Sequence, residues 1–177
     1  MRTGVAAAAS AAFFVVPLFI VGVVPWLLTG WDSPYDWSSP GLLPLRAVGV
    51  VLIVLGAPNL IRAFARFVTE GHGTPMPPAP CDRLVIGGPY SRVRNPMFVS
   101  ALGVIFGQAL LFADPALGIY GAGVWAFFAF YVYVREEPKL SRIYGEQYDV
   151  YRAAVPAWRP RLRPWRGPGD GGAAASG

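Results

Sequence analysis

Four long runs of apolar residues constrain this chain more than any other feature. Residues 5–28 contain no charged side chain, residues 42–61 contain only Arg46, and residues 96–113 and 115–134 contain none. A bilayer core about 30 Å thick needs about 20 helical residues to cross it, and each run is close to that length. The pattern predicts an all-α integral membrane protein with four transmembrane helices.

The overall composition agrees with this prediction. Hydrophobic residues make up 54% of the 177 residues and charged residues only 14%, against about 25% charged residues in an average soluble domain. So much apolar surface excludes a disordered chain. The first run could instead be a signal peptide, but its small residues precede its bulky ones, which is the wrong order for a cleavage site. We therefore expect a retained helix.

The distribution of cations predicts the orientation. Residues 62–95 carry five Arg, and the chain from Arg135 onward carries eight Lys or Arg, whereas residues 29–41 carry none. The positive-inside rule places both termini and the long middle segment in the cytoplasm of what we expect to be a bacterial inner membrane. A basic face beside anionic lipid accounts for the net charge of +5 without any nucleic acid partner.

The remaining residues predict a cap on the cytoplasmic side. We expect one domain over residues 1–166, with the cap formed by residues 70–95 and 135–166, and a disordered tail at 167–177. The middle segment is rich in Pro and Gly and is too long for a simple connector, which is typical of a functional loop. A single Cys and a single His predict no metal site.

One candidate site lies where the middle segment meets the third span. Pro96 disfavours a helical conformation at Asn95 and suits the first turn of a helix. The unpaired N–H groups of that turn, with Arg92 and Arg94 beside it, would suit a carboxylate or a phosphate. The alternative is that Asn95 only caps the helix and that the arginines only anchor it at the membrane surface.

A second candidate is the carboxylate pair Glu136 and Glu137 at the end of the fourth span. Acidic residues at the end of an apolar helix are costly and are often functional. Pro138 disfavours a helical conformation at Glu137, so the span should end or kink at the pair. One carboxylate could then face a cavity while the other pairs with an arginine. A solvated helix end is the alternative.

A third candidate is the segment 139–152. Its apolar and aromatic side chains recur every three or four residues, which predicts a short amphipathic helix or two halves hinged at Gly145. This segment could lie flat on the membrane surface. It could also cover the site as a lid and supply tyrosine hydroxyl groups.

Taken in order, these pieces resemble the isoprenylcysteine carboxyl methyltransferases and the related phospholipid amine methyltransferases. The matching residues are Gly88-Pro89-Tyr90, Arg94-Asn95-Pro96-Met97-Phe98, Glu136-Glu137, Tyr144-Gly145, Tyr148, Tyr151 and Val155-Pro156. Gly71-His72-Gly73-Thr74-Pro75 also resembles the loop of bacterial members. The match spans about residues 70–161. Phe98, Ser100 and Asn95 depart from the commoner Tyr, Gly and His of the family.

The resemblance implies an S-adenosylmethionine-dependent enzyme with a lipophilic acceptor, most simply a carboxyl O-methyltransferase. The implied cofactor contacts are Gly71, Gly73, Tyr90, Arg94, Asn95, Pro96, Glu136, Glu137, Tyr144 and Tyr148. Arg92 or Arg94 would orient an acceptor carboxylate in the reaction. The implied acceptor contacts are Phe98 and Tyr151, and we add Phe130 and Tyr133 because bulky aromatic residues near the end of the fourth span could line a lateral slot.

Three alternatives stay open. The acceptor could be a phospholipid or another amine, which would make the enzyme an N-methyltransferase. A sterol-reductase-like enzyme would use NADPH on a related scaffold. A four-helix membrane protein without enzymatic activity is the third alternative, although Arg46 is the only charge within the predicted spans and offers no ion path.

Overall fold

The computed structural model describes residues 15–70 and 84–167, and within these ranges the chain is helical and contains no β-strand. The helices are α1 (Val15–Thr29), α2 (Leu43–Glu70), α3 (Pro96–Phe112), α4 (Pro115–Tyr131), α5 (Glu137–Tyr144) and α6 (Glu146–Ala154). A π-helical turn, Val132–Glu136, joins α4 to α5, and a 3-10 turn, Gly88–Ser91, precedes α3. The all-α prediction is therefore confirmed for the described residues.

Two helical stretches are long and apolar enough to cross a bilayer, Pro40–Ala65 and Pro115–Tyr144. The other two apolar helices, Val15–Thr29 and Pro96–Phe112, are shorter. The fourth predicted span ends differently from expectation, because the helix continues through the glutamate pair by a π-helical turn. Pro138 lies in the first turn of α5, where its missing N–H group is tolerated.

The tightest packing joins α2 to α3 through small residues. A Cβ atom on Gly49 would lie 2.6 Å from the carbonyl oxygen of Gly107, and one on Gly107 would lie 2.9 Å from the carbonyl oxygen of Gly49. Only glycine permits backbones to approach this closely. The sequence also predicts close contact between the third and fourth spans through their small residues. At Gly121 in α4 a Cβ atom would lie 2.9 Å from the Phe106 ring of α3, whereas at Gly118 or Gly123 it would meet nothing within 4 Å.

Arg46 organises the loop between α1 and α2, at what we call the outer end of the bundle. Its Nη1 donates to the carbonyl oxygens of Asp36, at 3.1 Å, and Trp37, at 2.5 Å. Its Nη2 donates to Ser33 Oγ at 3.1 Å, and its guanidinium lies 4.7 Å from the Trp37 ring centroid. The one intramembrane cation predicted from the sequence is thus held mainly by loop carbonyls rather than by an ion pair with a described acidic residue.

Helix α1 is attached to α3 and α4 at its own π-helical turn, Phe19–Val23. Gln108 Nε2 donates to the carbonyl oxygen of Val21 at 2.8 Å, and the Tyr120 hydroxyl donates to that of Ile20 at 2.9 Å. Pro25, one turn further along, has no N–H group to donate to the carbonyl groups of Ile20 and Val21, so these need other donors. Two side-chain donors from neighbouring helices satisfy them, which fixes the position of α1.

At the opposite end of the bundle, which we call the inner end, the chain after α6 returns along the segment before α3. The backbone N–H of Arg94 donates to the Pro156 carbonyl at 2.9 Å, and that of Arg161 donates to the Arg92 carbonyl at 2.8 Å. Gly145 separates α5 from α6 with φ +53°, which confirms the predicted hinge. This arrangement brings the three candidate segments of the sequence together.

Candidate functional site

The start of α3 is shaped by Asn95 and Pro96. Pro96 occupies the first turn of the helix, and Asn95 is non-helical at φ −114° and ψ 59°, as the Asn-Pro pattern predicts. The Asn95 side chain makes no capping hydrogen bond. Its Nδ2 donates instead to the carbonyl oxygen of Ala157 at 3.2 Å. Asn95 therefore ties the helix start to the returning chain rather than satisfying the helix N–H groups.

Arg94 is the centre of a buried polar cluster at the inner end. Its Nη1 lies 2.6 Å from Glu137 Oε1 and donates to the Tyr148 hydroxyl at 3.1 Å. The second Glu137 oxygen, Oε2, lies 3.4 Å from Arg152 Nη2. The side chains of Arg94 and Glu137 are 11% and 5% exposed, so this ion pair is shielded from water. Four side chains, from the loop before α3 and from the helices α5 and α6, thus meet at one point.

The two adjacent glutamates have different environments. Both Glu137 oxygens are paired with arginines. Glu136 Oε2 is buried and has no hydrogen-bond partner among the described residues, and the same is true of Arg94 Nε. A buried carboxylate oxygen without a partner costs free energy comparable to a lost hydrogen bond or more. The sequence left open which carboxylate would pair with an arginine, and the structure shows that it is Glu137.

Tyr148 and Tyr151 line the inner face of α6, and both are buried. The Tyr151 hydroxyl donates to the carbonyl oxygen of Tyr90 at 2.7 Å. Burial raises the pKa of both tyrosines above the ordinary value. Both hydroxyl groups consequently stay protonated at physiological pH, Tyr151 as a donor to Tyr90 and Tyr148 as the acceptor from Arg94.

Other predicted site residues lie around this cluster. Tyr90 is buried in the Gly88–Ser91 turn, and its hydroxyl is 3.5 Å from the Ala63 carbonyl oxygen. Tyr144 packs against the hydrophobic group formed by Tyr148 and Tyr151. Arg92 is exposed. Gly71 and Gly73 lie outside the described residues.

The predicted acceptor contacts fall into two groups. Phe98 stacks on Phe128, with ring centroids 4.4 Å apart, in the apolar layer below the cluster. The Tyr133 hydroxyl accepts a hydrogen bond from Trp158 Nε1 at 3.0 Å, while Phe130 is 64% exposed. Tyr133 thus joins the end of the fourth span to the returning chain, and Phe130 lies on the outside of the bundle.

An apolar groove lies between α1 and α4. Its volume is about 280 Å³, and it is lined by Ile20, Tyr120, Gly123, Val124, Phe127 and Phe128. Because the α4 residues recur at helical spacing, the groove follows one face of that helix for about 12 Å. Phe128 connects the groove to Phe98 and so to the start of α3. Phe130 and Tyr133 do not belong to its lining.

The sequence interpretation missed two parts of this site. Arg152 completes the pairing of Glu137, and its position four residues after Tyr148 on one helix face was the available signal. The carbonyl groups of Pro156 and Ala157 hold the start of α3. Sequence patterns describe side chains, so they carry no signal for backbone acceptors.

This is a helical chain with membrane-type helices whose buried charged cluster lies at one end of the bundle. The sequence profile of the family described as phospholipid methyltransferase matches residues 45–147. The chain belongs to this family, and the resemblance inferred from the motifs is confirmed. The matched region contains Arg94, the glutamate pair and the start of α6.

Individual relatives are more distant. The cobalt-zinc-cadmium resistance protein CzcN of Cupriavidus metallidurans is 28% identical over 154 residues, which are 86% of this chain and 64% of that protein. The protein-S-isoprenylcysteine O-methyltransferase of Mus musculus is 28% identical over 123 residues, covering 67% of this chain and 42% of the enzyme. The chain therefore spans less than two thirds of the length of these relatives. No solved structure matches it.

Metal ligation is relevant because one relative is named for metal resistance. Among the described residues, no group of three or more His, Cys, Asp or Glu side chains could hold a metal ion. Glu137 is paired with Arg94 and Arg152 rather than with another acid. The cluster at the inner end is thus built from ion pairs.

Proposed function

We propose that this protein is an S-adenosylmethionine-dependent membrane methyltransferase with a lipophilic acceptor. The observation that carries the proposal is the unpaired, buried Glu136 oxygen beside a fully paired Glu137. Membership of the phospholipid methyltransferase family supports the reaction class. The likeness to isoprenylcysteine O-methyltransferases supports carboxyl O-methylation.

The residues at the inner end fit the proposed methyl donor. S-adenosylmethionine carries a sulfonium, an ammonium group and ribose hydroxyls, all of which suit a carboxylate without a competing partner. Glu136 supplies that carboxylate, and Arg94, which pairs with the adjacent Glu137, has a buried Nε without a described partner. When bound, the donor supplies an electrophilic methyl group. Tyr148 and Tyr144 would close the pocket from above.

The side chains of this protein position the reacting groups and exclude water from the site. Glu137 fixes Arg94 and so determines where its free Nε points. Tyr151 holds the Gly88–Ser91 turn through the Tyr90 carbonyl. Methyl transfer depends chiefly on alignment of nucleophile, methyl carbon and sulfur. A site held by buried ion pairs and hydrogen bonds provides such alignment.

A carboxylate acceptor needs no catalytic base, since it is ionised at neutral pH. We propose that Arg92, which is exposed and precedes Arg94 by two residues, orients this carboxylate. An amine acceptor, by contrast, would have to lose a proton before it could attack. N-methylation should therefore rise as the pH approaches the pKa of the acceptor amine, whereas O-methylation needs no deprotonation of its acceptor above about pH 6. This pH dependence distinguishes the two acceptor classes.

The groove between α1 and α4 is our proposed site for the chain of the acceptor. Its walls are apolar, it is open at the side of the bundle, and Phe128 links it to the start of α3. A lipophilic chain placed there would lie along α4 and point its polar end toward Glu136. We propose Phe127 and Phe128 as its main contacts. Phe98 and Tyr151 lie on the path toward the polar cluster.

The membrane arrangement is part of the proposal. All four apolar helices cross the bilayer of the bacterial inner membrane within one domain over residues 1–166, and both termini and the cap are cytoplasmic. The cation distribution supports this orientation. Single cysteines in a Cys81→Ser background would test it in intact cells. A cysteine at Ser38 should react with an impermeant reagent, whereas one at Gln147 should not, and the reverse would contradict it.

Binding of the donor tests the function itself. Purified full-length protein in detergent should bind labelled S-adenosylmethionine, and unlabelled S-adenosylhomocysteine should displace it, whereas NADPH should not. Binding of NADPH alone would instead favour a sterol-reductase-like enzyme. Binding of neither would favour a protein without enzymatic activity. The acceptor could then be sought by mass spectrometry of lipids from cells with and without the protein.

A further inference from the structure

Residues 159–166 form an exposed basic segment that the proposed reaction does not use. We call this segment the basic strap. It contains Arg159, Arg161, Arg163 and Arg166 and no acidic residue. Arg159 and Arg163 are exposed. Four cations within eight residues, without an acidic neighbour in sequence, form a local positive surface.

The basic strap is held in place by backbone hydrogen bonds. The N–H of Arg161 donates to the Arg92 carbonyl at 2.8 Å, and the N–H of Trp165 donates to the Ser91 carbonyl at 2.8 Å. Arg161 Nη1 donates to the Ala154 carbonyl at 2.8 Å. The strap is therefore presented in a fixed position beside the start of α3, at the level where an apolar helix begins.

The strap also exposes a large apolar side chain. Leu162, between Arg161 and Arg163, is 93% exposed, more than any other large hydrophobic side chain among the described residues. On its other side, Trp165 packs against Tyr151, with ring centroids 5.6 Å apart. An exposed apolar side chain flanked by cations is complementary to a lipid bilayer, which is apolar inside and anionic at its surface.

We propose that the basic strap docks on anionic phospholipid headgroups of the membrane, with Leu162 inserted between them. Charge complementarity favours this occupant, since an anionic bilayer surface attracts basic segments that adjoin a membrane helix. The docking would hold the strap and the packed pair Trp165 and Tyr151 against the membrane. This proposal goes beyond the methyltransferase assignment and rests only on the membrane arrangement proposed above.

The test places a fluorescent probe on the strap of the full-length protein. A nitrobenzoxadiazole group on Leu162→Cys, in a Cys81→Ser background, reports the polarity around position 162. The protein would be reconstituted into vesicles of phosphatidylcholine alone or of phosphatidylcholine with phosphatidylglycerol. In the anionic vesicles, we expect blue-shifted emission, quenching by lipids that carry a nitroxide near the headgroup, and reversal by high salt.

A matched pair of charge variants makes the test specific. Arg159→Gln with Arg163→Gln should shift the docking equilibrium about 25-fold, because each cation at an anionic surface contributes about a five-fold change. Lys139→Gln with Arg142→Gln removes the same charge from α5 and should leave docking unchanged. Equal probe signals in both vesicle types, or equal effects of both variant pairs, would overturn the proposal. A water-exposed probe in every vesicle would also overturn it, and would leave the methyltransferase assignment untouched.

Discussion

The molecule buries one arginine at each end of its helical bundle, and the two have different surroundings. Arg46 at the outer end is held by the carbonyl groups of Asp36 and Trp37 and by a serine hydroxyl. Arg94 at the inner end is paired with Glu137 and lies beside a second glutamate with an unpaired oxygen. Neutral acceptors are enough to hold Arg46. We propose that the extra carboxylate beside Arg94 serves a ligand that the chain itself does not provide.

Loss of Glu137 should have the largest effect on stability. Glu137→Leu leaves Arg94 charged and buried without its partner, so we expect a loss of about 3–5 kcal/mol in the free energy of unfolding. Replacing both residues, as Arg94→Met with Glu137→Leu, should recover most of this loss. Denaturation in detergent, followed by circular dichroism, would measure both. A stable single variant would show that the pair is not the organising contact of the inner end.

Loss of Arg46 should have a smaller effect, confined to the outer end. Arg46→Met removes hydrogen bonds to two loop carbonyls, and we expect the free energy of unfolding to fall by about 1–3 kcal/mol. Affinity for S-adenosylmethionine should be unchanged, because the loop lies at the other end of the bundle. A matching loss of affinity would indicate that the two ends are coupled, which would undermine the comparison.

The groove should show the smallest effect. Phe127→Ala removes apolar contact from its lining, and we expect the KM for the acceptor to rise about five-fold, corresponding to about 1 kcal/mol of partly buried apolar surface. Phe130→Ala, an exposed phenylalanine of the same helix outside the groove, is the matched control. Steady-state kinetics with a lipophilic acceptor would compare them. A larger effect at Phe130 would restore the slot first expected from the sequence.

Much of this fold could be predicted because apolar runs and Pro-containing helix starts are local signals. The bounds of α3, Pro96–Phe112, differ from the predicted span by one residue. The end of the fourth span was predicted less accurately. The chain forms a π-helical turn there, which arises from packing that sequence periodicity does not encode. The close approach of the third and fourth spans occurs at Gly121 as the small residues predict, but the contact of Gly107 with Gly49 of α2 was not foreseen, because small residues do not specify their partner.

The sequence predicted which residues belong to the candidate site but not what each of them does. Motif order brought Arg94, Glu137 and Tyr148 into one hypothesis, and the structure places them within hydrogen-bond distance. The distinction between two adjacent glutamates depends on which arginines reach each of them. Those arginines come from segments 43 and 15 residues away, since Arg94 precedes and Arg152 follows Glu137 in the sequence. Only the folded chain supplies that information.

The central claim is that Glu136, and not its neighbour, contacts the methyl donor. Equilibrium binding of labelled S-adenosylmethionine to Glu136→Gln tests it most directly, with Glu146→Gln on the exposed start of α6 as the matched control. We expect Glu136→Gln to fold normally and to bind about 10- to 150-fold more weakly, as expected for loss of a charged hydrogen-bond partner, while the control binds like the unmodified protein. Full affinity in a folded Glu136→Gln variant would contradict the account.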